Sequence, residues 1–513
     1  MTRRAAERRA ERREESAASP APLPLPLPLT RIVATLGPAT DGDEAISRVI
    51  EAGVGVVRLN FSHGAFEDHA RHLLRVRRVA ERLGRTVAVL GDLRGPRIRV
   101  GPCPRPVPLS TGDLVEWRKR SPAGRWRKGL AAAFGVTEPS VLDDLRPGQR
   151  VLVADGTIRM RVLEVHPGRA VTRVEIGGEV RTGKGVNLPD TRLSVPVIGD
   201  HDREAIAWSL AHRVDFLALS FVRRAADLHE LRRLVGGGAR SRRRDGDVPR
   251  LVAKIERPEA IDHLEAIVAA SDAVMVARGD LGAEMGLEAV PPLQRRILAS
   301  AHAAGRPAIV ATEVLASMTT AATPTRAEVG DLSRAVLDEA DAIMLSGETA
   351  IGRHPSTVVA AAASVLRRAE RWSEETPHTA AAPPQQRGDE LSIALAAWHF
   401  AIHRGAKMVV VAADEPELVR TLAQHNFFVP IAAVGLGGAS LRRLLLYRGV
   451  VPVPSEPHPP WEAVLEALRV RGPMLGLPCG EGPWIAVGRL AGGGLRPIEI
   501  EPPGSAGRRR VGR

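Results

Sequence analysis

The chain has 513 residues and a formal net charge of +13 at pH 7, and 44% of its residues are hydrophobic and 26% are charged. This length predicts about three domains, and no apolar run reaches the ~20 residues that a transmembrane helix needs. The two cysteines, Cys103 and Cys479, are too far apart in sequence to indicate a disulfide framework or a metal site. The N-terminal residues lack the apolar core of a signal peptide, so we expect a cytoplasmic protein without a membrane partner.

The positive charge is compatible with nucleic-acid binding, but the residues argue against it. Part of the excess lies in the C-terminal tail, and the best internal basic cluster, residues 118–128, is typical of a solvated loop. The chain has one tyrosine and eight phenylalanines, so rings for base stacking are scarce. A basic surface suits anionic small molecules equally well.

Predicted elements begin after residues 1–29, a basic and proline-rich N-terminal arm. From Thr30 onward, short apolar runs alternate with longer amphipathic stretches, which predicts parallel βαβ units. The apolar runs are residues 32–36, 54–59, 87–90, 214–219, 251–255, 273–276, 308–311 and 342–345. The predicted helices span residues 42–53, 65–83, 225–235, 258–270, 287–304, 325–339 and 355–372. Eight such units predict a (β/α)8 TIM barrel.

The pattern also predicts two further domains, so the fold class is α/β. Shorter alternating strands with turn signals follow the third apolar run and predict a small β-barrel inserted in a barrel loop. A linker composition precedes the last part of the chain, which predicts an open-sheet α/β domain. The predicted divisions are 30–99 and 191–375 for the barrel, 100–190 for the insertion, 376–390 for the linker, 391–500 for the C-terminal domain and 501–513 for a basic tail.

Polar residues follow seven of the predicted barrel strands, where the active sites of TIM barrels lie. These endings are residues 58–64, 91–99, 220–223, 254–256, 277–280, 312–313 and 346–349. One polar ending is weak evidence because loops are generally polar. Seven endings on one face of a barrel predict an active site.

Lys254 is unusual in this arginine-rich chain. The 72 basic residues include only five lysines, which are Lys119, Lys128, Lys184, Lys254 and Lys407. A compact ammonium can contact a single oxygen in a tight site, which a planar guanidinium does poorly. With Arg58 and Arg99, Lys254 is a candidate to bind phosphate oxygens.

Glu256 and Asp280 are hard oxygen ligands on neighbouring strand ends. Mg²⁺ typically takes one or two protein carboxylates and keeps other positions for water and substrate; the alternative is pairing with arginines such as Arg278. Gly279 would let backbone approach a ligand closely. Thr312 offers a hydroxyl as a donor or proton relay, or has a purely structural role.

Several common catalytic motifs are absent from the sequence. It contains no GxxxxGK[ST] loop, no GxGxxG after a strand and no GxSxG elbow. The residues therefore favour electrostatic phosphate chemistry on a barrel, with a divalent cation.

The ordered motifs resemble those of pyruvate kinases. They are TRIVATLGPAT (30–40), VVRLNFSHG, GDLRGPRIR, KGVNLP, LSFVR, AKIERPEA, MVARGDLG, PTRAEVGDLSRAVL and MLSGETA (344–350). The resemblance implies phosphoryl transfer from phosphoenolpyruvate to ADP, which gives pyruvate and ATP in glycolysis. It also implies a homotetramer.

The resemblance assigns roles to the strand endings. Glu256 and Asp280 would bind Mg²⁺ or Mn²⁺, and Lys254 and Arg58 would contact the phosphoryl group and the enolate oxygen. Substrate-binding residues would be Arg58, Ser220, Lys254, Gly279, Asp280 and Thr312, with Thr312 near the proton delivered to the methylene carbon. Asn60, Ser62, Asp92 and the Leu93 carbonyl would form a monovalent-cation site. Nucleotide contacts would come from Asn60, His63, Arg99 and Lys184. The inserted domain, with Asp155 and Lys184, would be a mobile lid.

The chain departs from the family pattern in three places. Arg97 replaces a glutamate typical of potassium-dependent members, and this fixed cation predicts weak or no dependence on potassium. Glu313 and Ala316 replace glutamine and glutamate after Thr312, which predicts a perturbed seventh strand ending. Residues 413–417 are acidic where effector-responsive members have a phosphate loop, so we expect fructose 1,6-bisphosphate not to shift the phosphoenolpyruvate saturation curve.

Two other functions are compatible with these residues. One is another Mg²⁺-dependent barrel enzyme acting on phosphoenolpyruvate or an enolate, such as a lyase or aldolase, although it would not need a nucleotide lid. The other is a catalytically weak regulatory paralogue or nucleic-acid-binding protein. The arginine-rich arms favour the latter, whereas the presence of Lys254 and both Mg²⁺ ligands opposes it.

Overall fold

The computed structural model describes the barrel almost completely and the remaining parts with gaps. The described residues are 27–120, 128–154, 156–236, 248–375, 389–412, 416–424, 428–436, 438–455, 461–480, 482–489 and 495–500. Several predicted features therefore lie outside the described residues. These are most of the N-terminal arm, Asp155, most of the linker, the basic tail and residues 413–415 of the acidic loop.

The strands in the described part of the chain form four sheets. The chain begins with β1 (Arg31–Thr35), β2 (Val54–Asn60) and β3 (Ala88–Asp92). The next strands are β4 (Val107–Leu109), β5 (Leu114–Arg118), β6 (Ala132–Gly135), β7 (Arg150–Val153), β8 (Ile158–His166), β9 (Arg169–Ile176), β10 (Gly178–Val180) and β11 (Val186–Asn187). They are followed by β12 (Phe216–Leu219), β13 (Arg250–Ile255), β14 (Ala273–Ala277), β15 (Ala308–Ala311) and β16 (Ala342–Leu345). The last are β17 (Met408–Ala412), β18 (Ile431–Leu436), β19 (Val450–Ser455), β20 (Trp484–Arg489) and β21 (Leu495–Ile500).

Helices alternate with the strands of the barrel and of the C-terminal part, whereas the described part of the insertion has one short helix among its strands. Those up to the sixth barrel strand are α1 (Asp43–Glu51), α2 (Phe66–Arg82), α3 (Val141–Asp144), α4 (Asp200–Ala211), α5 (Ala225–Gly236), α6 (Pro258–Asp262) and α7 (Leu264–Ala270). The rest of the barrel has α8 (Arg278–Met285), α9 (Val290–Ala303), α10 (Arg326–Leu337), α11 (Gly347–Ala350) and α12 (Pro355–Glu375). The C-terminal part has α13 (Asp389–Arg404), α14 (Pro416–Gln424), α15 (Ala439–Arg443) and α16 (Trp461–Arg471).

Eight parallel strands close into a barrel in the order β1, β16, β15, β14, β13, β12, β3, β2. All five residues of β14 are buried, as expected for parallel strands covered on both faces. Strand-to-strand register places Asn60 beside Asp92 and Lys254 beside Met275. The predicted (β/α)8 barrel is confirmed, and its parallel strands bring all the polar endings to one face.

The insertion contains a six-stranded sheet in the order β11, β7, β8, β9, β5, β6 and a two-stranded sheet of β4 and β10. Isolated bridges join Arg99 to Gly185 and Val100 to Val136. These bridges link the two edges of the larger sheet, so the sheet curls round its own core, in which Trp117 and Phe134 are buried.

The C-terminal part is an open five-stranded sheet in the order β19, β18, β17, β20, β21. A short 3-10 helix, Leu444–Leu446, joins α15 to β19. Leu445 and Leu446 belong to the cluster of buried side chains inside the barrel. The C-terminal part therefore closes the amino-terminal end of the barrel, opposite the polar endings.

The helices differ from the prediction in four places. The predicted helix 258–270 is two helices, α6 and α7, because the chain turns at His263. The predicted helix 287–304 begins with a separate 3-10 turn, Leu287–Ala289, before α9. Helix α4 was not predicted; its mixed polar and small residues give little helical periodicity, although its first turn is acidic. Helix α13 begins at Asp389, inside the predicted linker.

Candidate active site

The carboxyl ends of the barrel strands open into a cleft of about 510 Å³ between the barrel and the inserted sheets. Its charged lining residues are Arg97, Arg99, Lys184, Arg223, Arg257, Asp280 and Glu284. Five cations and two carboxylates give the cleft a positive balance, which favours a polyanionic ligand.

Lys254 lies at the end of β13 as a buried cation. Its Nζ donates to Ser220 Oγ at 2.7 Å and lies 3.5 Å from both Asp92 Oδ1 and Glu256 Oε2. Burial alone would lower the pKa of Lys254, but the charges of Asp92, Glu256 and Asp280 raise it overall. The ammonium therefore stays protonated between two buried carboxylates.

Glu256 is a fully buried carboxylate at the same strand end. Its Oε1 accepts the Phe221 amide at 2.6 Å, whereas Oε2 has no hydrogen-bond partner in the described part of the chain. Burial raises the pKa of Glu256 to about 7, against the opposing charge of Lys254. The Lys254 ammonium, 3.5 Å away, is too distant to donate a good hydrogen bond to this oxygen. A buried oxygen without a hydrogen bond is costly, so Glu256 Oε2 suits a metal ligand.

Arg58, at the end of β2, is paired with Asp92. Its Nε and Nη2 lie 2.7 and 2.6 Å from Asp92 Oδ2, and its Nη1 donates to Thr35 Oγ1 at 3.1 Å. Burial opposes ionisation of Asp92, but Lys254 and Arg58 outweigh it and hold the pKa of that carboxyl below its usual range. Asp92 thus lies between the two predicted phosphoryl-binding cations and orients both.

Gly279 and Asp280 lie in the first turn of α8, directly after β14. The Gly279 amide donates to Thr312 Oγ1 at 2.7 Å, and Thr312 Oγ1 donates to Ala311 O at 2.6 Å. A Cβ at position 279 would lie 3.4 Å from Thr312 Oγ1, which is an ordinary contact distance, so the backbones of the two strand endings approach closely here. The structure therefore brings the predicted carboxylate-binding residues together at a helix start, where amides favour anions.

Glu348, and not the side chain of Glu313 or Ala316, stabilises the end of the seventh barrel strand. Glu348 accepts the Leu315 amide at 3.1 Å through Oε1 and the Ser346 amide at 2.7 Å through Oε2. These bonds join the seventh and eighth strand endings without the side chains of Glu313 and Ala316.

The groups predicted to bind a monovalent cation already have protein partners. Asn60 Oδ1 accepts the Ser62 amide at 3.2 Å, and the Leu93 carbonyl accepts Ser220 Oγ at 2.7 Å. Asp92 is held by Arg58 and Lys254. Arg97 places a further cation at the cleft: burial lowers its pKa, and the charges of Asp280 and Asp92 oppose that shift.

The predicted nucleotide contacts divide into two groups. Arg99 and Lys184 line the cleft from the insertion, where Arg99 Nη1 donates to Gly183 O at 2.9 Å. Asn60 and His63 do not line the cleft. His63 is largely exposed, but the remaining desolvation of its ring and the charges of Arg97 and Arg99 lower its pKa. Its imidazole is therefore mainly neutral at pH 7.

A buried ion pair that was not predicted lies at the root of the insertion. Arg257 donates to Glu284 Oε2 at 3.0 Å and to the carbonyls of Leu188 and Thr191. Glu284 Oε1 accepts Asn187 Nδ2 at 2.9 Å. This pair ties the returning end of the insertion to the barrel top. Arg257 follows the predicted ligand Glu256 directly, which was the one available hint.

The donor set fits a Mg²⁺ ion that shares its coordination with substrate. Glu256 Oε2 accepts no hydrogen bond in the described part of the chain, and Asp280, whose charge acts on Glu256, lines the cleft. Among the residues described, no group of three or more His, Cys, Asp or Glu side chains is arranged to enclose a metal. Two carboxylates with water and substrate oxygens completing the shell are typical of Mg²⁺.

A closed (β/α)8 barrel with a buried lysine and two carboxylates beneath a cationic cleft defines a barrel enzyme that acts on phosphorylated substrates. The family description "Pyruvate kinase, barrel domain" matches residues 27–359. The chain therefore belongs to the pyruvate kinase family.

Relatives and a solved structure agree with this assignment. A pyruvate kinase of Haemophilus influenzae is 37% identical over 429 residues, which are 83% of this chain and 88% of the relative. A pyruvate kinase of Mycobacterium tuberculosis is 40% identical over 79% of this chain and 82% of its own length. A crystal structure of a pyruvate kinase from Cryptosporidium parvum superposes with a TM-score of 0.81 at 28% identity, covering 93% of this chain and 98% of that one.

Proposed function

We propose that this protein transfers the phosphoryl group of phosphoenolpyruvate to ADP and releases pyruvate and ATP. The observation that carries the proposal is the Lys254 ammonium, held 3.5 Å from Asp92 and Glu256 and hydrogen-bonded to Ser220 beneath a cationic cleft. Such a group can stabilise both the phosphoryl oxygens and the enolate that remains after transfer. The same geometry counts against a nucleic-acid-binding paralogue, which would not need it.

Substrate binding follows from the charges at the strand ends. The carboxylate would lie at the start of α8, where it would meet the Asp280 amide and share the Gly279 amide with Thr312 Oγ1. The phosphoryl group would lie between Lys254 and Arg58. A Mg²⁺ ion bound by Glu256 and Asp280 would supply further positive charge to the phosphoryl oxygens.

Transfer breaks the bond between phosphorus and the enol oxygen and forms a bond from phosphorus to a terminal ADP oxygen. Phosphoryl transfer depends mainly on positioning and charge neutralisation. The enolate is then protonated at its methylene carbon to give pyruvate, and we propose that the Thr312 hydroxyl helps to deliver that proton.

The nucleotide would bind under the insertion. Arg99 and Lys184 would contact its phosphates, and closure of the insertion would exclude water that competes for the phosphoryl group.

The fixed charge of Arg97 supports weak or no dependence on potassium. No helix in the described part of the chain is long and apolar enough to cross a membrane. We further propose a cytoplasmic homotetramer acting in glycolysis, as the family implies.

A coupled assay tests this function. Pyruvate should form from phosphoenolpyruvate only when both ADP and Mg²⁺ are present, and little extra activity should follow from K⁺. Release of pyruvate without ADP would support a lyase-like or hydrolytic barrel enzyme instead.

A further inference from the structure

Thr312 and Glu313 form a strained corner at the end of β15. Their φ angles are +67° and +52°, and no other two consecutive non-glycine residues in the described chain have positive φ. Such left-handed conformations cost roughly 1–3 kcal/mol for each residue and persist only where neighbouring groups enforce them. The corner therefore needs an anchor.

Arg278 is that anchor. Its Nε and Nη2 lie 3.2 and 2.8 Å from the Thr312 carbonyl, and its Nη2 also donates to the Glu313 carbonyl at 3.1 Å. The remaining arm, Nη1, donates to Asp331 on α10 at 2.5 Å. The guanidinium is only 7% exposed, and its three nitrogens already have protein acceptors, so it is not a candidate to bind the substrate.

The next residue along the chain holds the other end of Thr312. While the Arg278 side chain binds the Thr312 carbonyl, the Gly279 amide binds the Thr312 hydroxyl at 2.7 Å. Two consecutive residues of one strand ending thus fix both the backbone and the hydroxyl of Thr312. If the carbonyl were released, the corner would relax and the hydroxyl would leave the Gly279 amide.

We infer that Arg278 is a positioning residue that sets the Thr312 hydroxyl against the methylene carbon of the substrate. The inference rests on the proposed function, because it concerns the proton step of that reaction. A guanidinium fork can hold two adjacent carbonyls, whereas the single ammonium of a lysine cannot reproduce that planar geometry. Misplacement by about 1 Å can cost on the order of 100-fold in rate.

The test separates proton transfer from phosphoryl transfer. In D₂O with pyruvate, Mg²⁺ and ATP, a C3–H bond of pyruvate breaks, its proton passes to the solvent and its electron pair forms the enolate double bond. A deuteron from the solvent then bonds to C3 with that electron pair and restores the carbonyl group. Exchange is followed by the methyl signal in proton NMR, and ATP formation from phosphoenolpyruvate and ADP is measured separately. Arg278→Lys should lower exchange about tenfold or more beyond its effect on ATP formation, with the same signature as Thr312→Val.

Two further variants show whether an effect of Arg278→Lys is specific to the contact with Thr312. Arg31 is a similarly buried arginine at the other end of the barrel, where it binds the carbonyls of Tyr447 and Val450, so Arg31→Lys should leave the ratio of exchange to ATP formation unchanged. Asp331→Asn, which weakens only the outer anchor of Arg278 by removing its charge, should lower that ratio by a smaller factor. It also serves as the test if Arg278→Lys fails to fold.

Equal losses of exchange and ATP formation in these variants, an unchanged exchange rate or a larger loss of ATP formation would overturn the inference. Failure of the proposed function would be seen earlier and separately, as wild-type protein without ADP-dependent formation of pyruvate.

Discussion

At the residue scale, Lys254 shows how a single side chain depends on its surroundings. Asp92, Glu256 and Ser220 surround the ammonium within 3.5 Å. A site this small accepts a compact cation, while a guanidinium would need more room and a planar arrangement of acceptors. Charge alone is therefore not what this position requires.

Replacing Lys254 by arginine should test this requirement. We expect Lys254→Arg to keep the positive charge but to lose most of the turnover, by about 100-fold or more, because the reacting oxygen is displaced. Steady-state kcat measures the effect. Lys407→Arg, an exposed lysine of the C-terminal part, is the matched control and should retain wild-type kcat. Similar kcat for both variants would contradict the prediction.

Arg97 permits a second prediction at this scale. Its charge acts on Asp280 and Asp92 at the cleft, so wild-type activity should change less than about twofold when K⁺ is added to a potassium-free assay. Arg97→Glu removes the cation and should be weakly active without K⁺ and strongly activated by it. Large activation of the wild type by K⁺, or no activation of the variant, would refute the role of Arg97.

The sequence located many candidate site residues, but not their mutual contacts. Lys254, Glu256 and Asp280 could be singled out because each follows an apolar run that predicts a barrel strand. The anchoring of Thr312 by Arg278 could not be predicted, since it depends on a φ angle and on contacts across 34 positions. The Arg257–Glu284 pair likewise joins residues 27 positions apart.

At the scale of elements, strands were predicted better than helices. Buried parallel strands are nearly continuous apolar runs, so residues 308–311 and 342–345 were placed as the structure has them. Helix α4 lacks a clear apolar stripe and was missed, and the break between α6 and α7 depends on local backbone angles. Tertiary packing decides such cases more than propensity does.

The end of α9 carries a pH-sensitive contact. His302 lies 3.2 Å from Glu339 and 3.5 Å from Asp341, and Asp341 in turn accepts the Ala308 amide. Burial disfavours the imidazolium, but the two carboxylates outweigh burial and raise the pKa of His302 to about 9.

Stability should therefore fall at alkaline pH. Because the folded-state pKa exceeds the usual 6.5, the contribution is fully present below pH 6.5 and is lost as pH rises through 9. The full contribution is on the order of 3 kcal/mol. Urea unfolding at several pH values should show this loss in the wild type and not in His302→Gln. His229→Gln, at an exposed histidine, should keep the wild-type profile; a pH-independent wild type would contradict the prediction.

At the scale of the whole molecule, the C-terminal part is built into the barrel. Leu445 and Leu446 complete the interior cluster of the barrel, and Arg442 Nε donates to the buried Asp215 at 2.7 Å. Asp341, which directly precedes β16, accepts the Arg448 amide at 3.2 Å. These contacts predict that the barrel and the C-terminal part unfold together.

Truncation of a leucine that the C-terminal part inserts into the barrel should destabilise both parts. Leu446→Ala removes a fully buried side chain and should cost about 2–5 kcal/mol of unfolding free energy. Leu287→Ala, at a leucine that is 73% exposed, should stay within about 0.5 kcal/mol of the wild type. Denaturant unfolding followed by tryptophan fluorescence and circular dichroism should give one shifted transition; two separate transitions would show that the parts unfold independently.

The sequence by itself determined the barrel, the order of its strands and the identity of the polar endings. Parallel strands that are buried on both faces appear in the sequence as regularly spaced apolar runs, so local patterns are enough to locate them. Only the tertiary structure decided which endings touch. It placed Asp92 between Arg58 and Lys254, gave Thr312 its strained conformation under Arg278, and left Glu256 Oε2 free of hydrogen bonds within the described residues. Distances, burial and the resulting pKa shifts arise from residues distant in the chain, so local patterns do not encode them.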